Sequence, residues 1–436
     1  MLAPRSRPLA LTTGLGLALV LTGPAVLLPG TPQRALAQAQ GPAVPVAVMP
    51  EAPPPVGLPR LESQVSCAAL QGRIAAVVGA EAPVWSISVA DARGRLLADL
   101  NGLRPRIPAS NQKLVSTAFA LDQLGPDYHL RTRLWRLGDG SLRLTGEGDP
   151  DLALPQLQRF ARLALADSSR SDSGGSLLRL QLSEEPARSW WPQGWHPDDR
   201  YAAYGAPITR LALTSNAIHE AVLNPPSRLQ SLLQKSLSQQ GGRAQLSLVS
   251  ARAALPGDAV LVHEELSTSM HGLLSLANTD SHNFTAEVLL RQAAGTWDLA
   301  EARQRALTWL GLQGLPIQGV RIADGSGLDR ADRLTSRLLA ALLLRMDQHP
   351  YGRQYLASMA IAGQRGTLRS LFAGTGLEGR FHGKTGTIQG VRSISGVLLT
   401  GAGPRYVSAI SNGAGSPNGT IGAVLRQVQN TSLCPA

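Results

Sequence analysis

Two long stretches with helical periodicity, residues 61–127 and 263–436, are separated at 128–262 by sequence rich in alternation and turns. A helical pattern that stops, gives way to strands and then resumes fits one discontinuous domain carrying a strand-rich insertion. In the first block "LESQVSCAALQGRIAAVVG" has apolar residues at helical spacing and ends at Gly79. "VWSISVAD" alternates as a strand, and "ARGRLLADLN" reads as a turn and a second strand. The next helix runs from Pro108 to Gly125. Within the interruption, "LRTRLWRLGDGSLRLTGEGDP" predicts a hairpin, residues 154–166 a helix and "SSRSDSGGS" a loop. Helices return in "LSTSMHGLLSLANTDSHNFTAEVLLRQAA" and "RLTSRLLAALLLRMDQ". "FHGKTGTIQGVRSISGVLLT" and "RYVSAISNG" predict adjacent antiparallel strands, and a last helix covers 417–432. The expected fold class is therefore α/β (α+β), and no internal repeat interrupts it.

The N-terminus reads as an export signal. Arg5 and Arg7 precede the apolar run "LALTTGLGLALVLTGPAVLL", and Ala35 and Ala37 offer a cleavage site before Gln38. An uncleaved anchor is the alternative for a run of this length. Either way, residues 1–37 place the remainder outside the cytoplasm, in the periplasm or cell envelope. Residues 38–60 form a Pro-rich linker. The net charge of +11 falls to +8 without the three arginines of residues 1–37, which suits an anionic membrane or wall surface. There is no recognised nucleic-acid motif and no long Lys/Arg block, so no nucleic-acid partner is expected. The two cysteines, Cys67 and Cys434, could form a disulfide in an oxidising compartment or stay as two buried thiols.

Lysine is scarce. Of 41 basic residues only Lys113, Lys235 and Lys384 are lysines, and two of these fall in short motifs. Arginine stays protonated, whereas a buried lysine can lose its proton and act as a base. In Ser110-Asn111-Gln112-Lys113 the serine and lysine share a helix face, so Lys113 can take the Ser110 proton. Pro108 keeps Ser110 near the helix N-terminus, where backbone N–H groups favour a developing oxyanion. Ser281-His282-Asn283 supplies a second hydroxyl, able to relay a proton to a leaving amine, and an amide for a substrate carbonyl. The His282 side chain should point away if its two neighbours face a pocket. Lys384-Thr385-Gly386-Thr387 lies on a probable strand, where a charge and two hydroxyls could bind a carboxylate and the glycine permits close approach.

The three motifs in this order resemble those of the penicillin-recognising serine enzymes. The chain is most similar to the D-alanyl-D-alanine carboxypeptidase/endopeptidase family of class C low-molecular-mass penicillin-binding proteins. "RPRIPASNQKLVSTAFALDQLGPDY", "GEGDPDL", "GWHPDDRYAAYGAPITRLALTSN", "DSHNFTAEVLL", "VRIADGSGLDRADRLTS" and "GTLRSLFAGTGLEGRFHGKTGTIQGVRSISG" carry the likeness across nearly all of the mature sequence. The resemblance implies a β-lactamase-like transpeptidase fold, an antiparallel sheet flanked by helices. It implies an exported serine DD-peptidase acting on peptidoglycan stem peptides, with β-lactams as covalent inhibitors and no cofactor or metal. By the same likeness Ser110 is the acylated nucleophile and Lys113 its base. Ser281, Asn283 and Lys384 complete the site, Thr385, Gly386 and Thr387 bind substrate, and the amides of Ser110 and Thr387 form the oxyanion hole. Ser110 and Ser281 lie 171 positions apart, short for the family's full insertion, which implies that one inserted domain is trimmed.

Other signals fit less well. Glu220 to Asn224, "EAVLN", matches the deacylating loop of class A β-lactamases but precedes Ser281 instead of following it, and is read as an insertion strand. A β-lactamase and a catalytically idle wall-binding scaffold are the alternative functions. His219 and His263 lack a histidine four residues on, which excludes a zinc-protease helix. Trp190, Trp191 and Trp195 read as local packing more readily than as a sugar platform. Asp324-Gly325-Ser326-Gly327 reads as a tight turn, with Asp324 placed behind the site.

Overall fold

β1 (Trp85–Asp91) is buried along its whole length, and its sequence explains how both faces are covered. Trp85, Ile87 and Val89 point into one apolar cluster. Between them, the small residues Ser86, Ser88 and Ala90 let a helix approach the opposite face. The computed structural model describes residues 60–171 and 177–434. The expected export signal, the linker up to residue 59 and the tip of the Ser/Gly-rich loop at 172–176 lie outside the described residues.

In chain order the elements are α1 (Ala68–Val78), β1, β2 (Leu96–Leu100), α2 (Gln112–Leu124), β3 (Arg131–Arg136), β4 (Leu142–Gly146), α3 (Leu154–Ser171) and β5 (Leu178–Glu184). There follow α4 (Pro225–Gln239), β6 (Ala244–Ser250), β7 (Val260–Leu266), α5 (Met270–Asn278), α6 (Asn283–Ala293), α7 (Leu299–Leu312), α8 (Ser336–Asp347) and α9 (Gly352–Ala357). The chain ends with β8 (Ala360–Ile361), β9 (Phe381–Ile388), β10 (Val391–Thr400), β11 (Gly403–Asn412) and α10 (Pro417–Gln429). An antiparallel six-stranded sheet has the order β2-β1-β11-β10-β9-β8. α1 and α10 cover one face, with Ile74 and Leu425 in the cluster that holds Trp85 and Phe381. α8 covers the other face, with the Ser88 and Ser336 hydroxyls 2.9 Å apart. Behind it α2, α5, α6 and α9 share a core that includes Leu114, Leu274, Phe284, Leu343 and Tyr355. This is the expected helix-flanked antiparallel sheet.

The second sheet has the order β6-β5-β4-β3-β7. β3 and β7 are antiparallel neighbours, so the chain enters and leaves this sheet side by side. Leu130 and Ser267 close the crossing: Ser267 N donates to Leu130 O at 2.9 Å, and Leu130 N to Ser267 Oγ at 2.9 Å. Leu134, Leu144 and Leu180 pack beneath Phe160 of α3 and Leu233 of α4. At ~2 kcal/mol for each fully buried leucine, this core stabilises the sheet against its helices.

Several expected boundaries move. A division at 262/263 would cut β7, which stays with the second sheet to Leu266. The first helix begins at Ala68, not Leu61, because Val65 bridges Leu96 and the amides of Glu62 and Ser66 donate to Gly94 O and Leu96 O instead of starting a helix. α3 continues to Ser171, and α10 stops at Gln429 before a short turn at Thr431–Leu433. "EAVLN" is not a strand: Asn224 caps α4 by accepting from Ser227 N, ahead of Pro225 and Pro226 in the first turn.

Cys67 and Cys434 form a disulfide, with their Cα atoms 5.9 Å apart. It ties the start of α1 to the end of the chain, and both residues belong to the cluster shared by α1 and α10. Replacing both cysteines by serine should lower stability by about 2–5 kcal/mol, read as a denaturant midpoint under oxidising conditions. An unchanged midpoint would show that α1 and α10 hold together without the bond.

Candidate active site

Ser110 sits in a single turn, Ala109–Asn111, that leads directly into α2. The turn is gripped from both sides. Ala109 has a left-handed backbone (φ 48°), and Gly327 passes so close that a Cβ there would lie 1.8 Å from the Ala109 carbonyl oxygen. On the other side a Cβ on Gly386 would lie 2.2 Å from Ser393 Oγ, 2.7 Å from Pro108 O and 3.0 Å from Ser110 N. The glycine of the Lys-Thr-Gly motif is thus required for β9 to meet the serine turn. Ser393 Oγ donates to Pro108 O at 2.6 Å, pinning the turn to β10.

Lys113, one helical turn on, is fully buried. Its Nζ donates to Ser110 Oγ (3.0 Å), Asn283 Oδ1 (2.6 Å) and Ser326 O (2.7 Å), which uses all three ammonium protons. Burial pushes its pKa down to about 8, opposed by the buried acidic cluster beneath it, with Asp324 the largest contributor. Asn283 opens α6, and its Nδ2 donates to Tyr204 O at 2.9 Å, on the long segment between β5 and α4. Ser281 precedes it in a left-handed conformation (φ 64°) and lines the same cleft. His282 turns onto its own helix, Nδ1 meeting Thr285 Oγ1 at 2.7 Å, and burial followed by the Lys113 charge pushes it down to about 4.

The β9 motif divides. Thr387 lines the cleft, and an Arg392 guanidinium bonds its hydroxyl. Lys384 lies fully buried, with Nζ donating to Thr385 O at 2.8 Å. Burial, and then the neighbouring Lys113, hold its pKa well below that of an ordinary lysine. The Thr385 hydroxyl faces Thr367 Oγ1 at 2.9 Å. Ser110, Ser281, Asn283 and Thr387 therefore line one cleft of about 650 Å³, with the buried Lys113 bonded to two of them, whereas Lys384 is buried and not part of the lining. Its far rim comes from the segment between β5 and α4, with His196, Asp198, Asp199 and Tyr204, and Arg330 contributes a cation from the opposite wall. Among the described residues no cluster of His, Cys, Asp and Glu could hold a metal ion.

A family model for D-Ala-D-Ala carboxypeptidase 3 (S13) matches residues 70–227 and 216–426, most of the chain. The chain belongs to the S13 carboxypeptidase family. This S13 protein is 26% identical over 433 residues to the D-alanyl-D-alanine carboxypeptidase of Actinomadura sp. (strain R39), covering 77% of this chain and 79% of that protein. Its fold is that of penicillin-binding protein 4 (dacB) from Haemophilus influenzae, with a TM-score of 0.69 at 17% identity over 83% of this chain and 99% of the other. A second structure of that protein, complexed with a β-lactam, matches with a TM-score of 0.63 at 18% identity over 80% and 96%.

In this S13 chain four supporting residues escape the motif reading. Glu287 and Arg291 follow Asn283 at four-residue steps on α6. The buried Glu287 accepts from Gly325 N (2.8 Å) and Ser326 N (2.9 Å) and pairs with Arg291 at 2.8 Å. Ser326 receives Lys113 through its carbonyl, and the indole of Trp195 donates to Asp324 at 2.8 Å. Trp195 and Trp190 are buried, so the aromatic cluster packs and also supports the site. Spacing on α6 could have revealed Glu287; a backbone carbonyl leaves no sequence signal. Gly386→Ala should cut the rate of β-lactam acylation at least tenfold and destabilise by about 1–3 kcal/mol, measured by stopped-flow and thermal melting. Unchanged kinetics would show that β9 does not need to approach the serine turn.

Proposed function

We propose that the protein is an exported serine DD-peptidase of the periplasm or cell envelope that hydrolyses the D-Ala-D-Ala end of peptidoglycan stem peptides. The observation that carries this reading is the three-way bonding of the buried Lys113 to Ser110, Asn283 and the Ser326 carbonyl. Lys113 with a pKa of about 8 is neutral in roughly one molecule in ten at pH 7. In that state the bond to Ser110 reverses, and the hydroxyl donates to the lysine lone pair. Ser110 Oγ then attacks the carbonyl carbon of the penultimate D-Ala while its proton passes to Lys113. The tetrahedral oxyanion is held by the Ser110 and Thr387 amides. The C–N bond breaks, and the departing D-Ala nitrogen takes the proton that Lys113 gained from Ser110, relayed through Ser281, which leaves Lys113 neutral for the second step. Water then attacks the ester carbonyl, gives a proton to Lys113 and frees Ser110 with a new carboxylate on the peptide. Thr387 serves the terminal carboxylate from the cleft wall, and the buried Lys384 backs it from within β9.

The same chemistry on a branched leaving group gives endopeptidase cleavage of cross-links. A β-lactam would acylate Ser110 in place of peptide, in keeping with the β-lactam complex of the H. influenzae relative. The discontinuous domain of residues 61–127 and 263–436 carries this chemistry, and the inserted unit of 128–262, extended through β7, supplies the rim. Glu220 is exposed on the approach to α4 and is not among the residues lining the cleft, which disfavours a β-lactamase.

Release of D-alanine from a peptide ending in D-Ala-D-Ala should be abolished in Ser110→Ala and fall by about 10²–10⁴-fold in Lys113→Arg, which keeps the charge but cannot deprotonate. In the wild type the rate should rise as pH increases towards about 8 and then level, because only neutral Lys113 is a base. An active Lys113→Arg enzyme would remove Lys113 from the role of base. Wild-type protein that binds the peptide without releasing D-alanine would favour the scaffold.

A further inference from the structure

Beneath the serine–lysine pair lies a buried acidic pair that the acyl-transfer scheme leaves unused. Asp324 and Asp332 are both fully buried. Asp324 Oδ1 accepts from the amides of Ser326 (3.0 Å) and Gly327 (2.6 Å). Its Oδ2 accepts from Asp329 N (2.8 Å), Ser326 Oγ (3.1 Å) and the Trp195 indole (2.8 Å). Both oxygens of Asp324 are thus occupied as acceptors. Asp332 differs. Its Oδ1 accepts from Ala323 N (2.6 Å) and Asp324 N (3.4 Å), but its enclosed Oδ2 receives no donor. The group it can reach is the Asp324 carboxylate. The buried ion pair nearby, Glu287 with Arg291, involves neither.

Two carboxylates enclosed together, with no cation bonded to either, resolve their repulsion by keeping one proton. Burial and the Asp324 charge both push the Asp332 carboxyl well above the usual range. The other charges facing this cluster are Lys113 on α2, Glu287 with Arg291 on α6 and Asp329 of the same turn, while Lys384 on β9 faces Lys113. His282 faces Lys113 from the start of α6, Arg303 and Arg321 face Asp329, and Asp280 faces Lys384. We propose that Asp332 is the protonated member of a one-proton pair with Asp324. The pair, with one negative charge instead of two, positions Lys113 through the Ser326 carbonyl and sets the pH at which the lysine becomes a base. Asp324 and Asp332 are positioning residues, and the inference rests on Lys113 being the base for Ser110.

Asp332→Asn tests it, because an amide reproduces the shape and donor of a protonated acid. Infrared difference spectroscopy at neutral pH, wild type against D332N, should show one water-excluded carboxylic-acid band lost in the variant. No such band would overturn the proposal, whatever the enzyme does to peptides. The pH midpoint of acylation by a chromogenic β-lactam should be unchanged in D332N. A midpoint about one unit lower would mean that Asp332 was ionised and would also overturn it. In D324N/D332N, which removes the remaining charge, the midpoint should fall by about one unit relative to D332N. An unmoved midpoint in a folded double variant would show that the pair does not tune Lys113. If the double variant fails to fold, the infrared band and the D332N midpoint decide the pairing. Failure of the peptidase reading would appear separately, as wild-type protein that no β-lactam acylates.

Discussion

The Lys113 ammonium, fully buried and shared among Ser110, Asn283 and Ser326, is the contact on which the remaining geometry hangs. Removing an ammonium from water costs several kcal/mol, and hydrogen bonds to a charged group return about 1.5–3 kcal/mol each. Three well-placed acceptors therefore offset the burial without overwhelming it, and the lysine is left able to release its proton near neutral pH. Each acceptor comes from a different part of the chain. The serine belongs to the turn before α2, the amide to the first residue of α6, and the carbonyl to the turn at 324–327. Displacing any one of them would leave an unsatisfied donor in a water-excluded site, so the catalytic geometry and the local stability are coupled.

The second sheet takes part in this coupling. At the end of β5, Glu184 accepts from the amides of Glu185, Arg210 and Leu211 and so anchors the segment that reaches the cleft. That segment presents the Trp195 indole to Asp324 and the Tyr204 carbonyl to Asn283. It forms one wall of the cleft and also steadies two of the three groups around Lys113.

Legibility in the sequence followed the range of each interaction. Ser110 and Lys113 are three residues apart on one chain segment, so local spacing exposed them. The flanking pair Ser281 and Asn283 was equally local. Strands such as β1 were readable because Trp85, Ile87 and Val89 alternate with small residues. β7 was misplaced because its two apolar-looking ends enclose His263 and two glutamates at a sheet edge, and no turn residue marks its close. The roles of Ser326 and Trp195 were out of reach, since they depend on a backbone group and on a contact between distant segments, whereas Glu287 lies one helical turn from Asn283 and was open to spacing. Asp332 shows the same limit: only the fold reveals that one of its oxygens is enclosed without a donor.

The most direct test of the account is intact mass of the purified protein after brief exposure to benzylpenicillin, followed by peptide mapping. A single stable adduct located on Ser110, and absent from Ser110→Ala, is the predicted result. An unmodified protein with intact penicillin, or an adduct on any other residue, would contradict the assignment of Ser110 and Lys113 as the reacting pair.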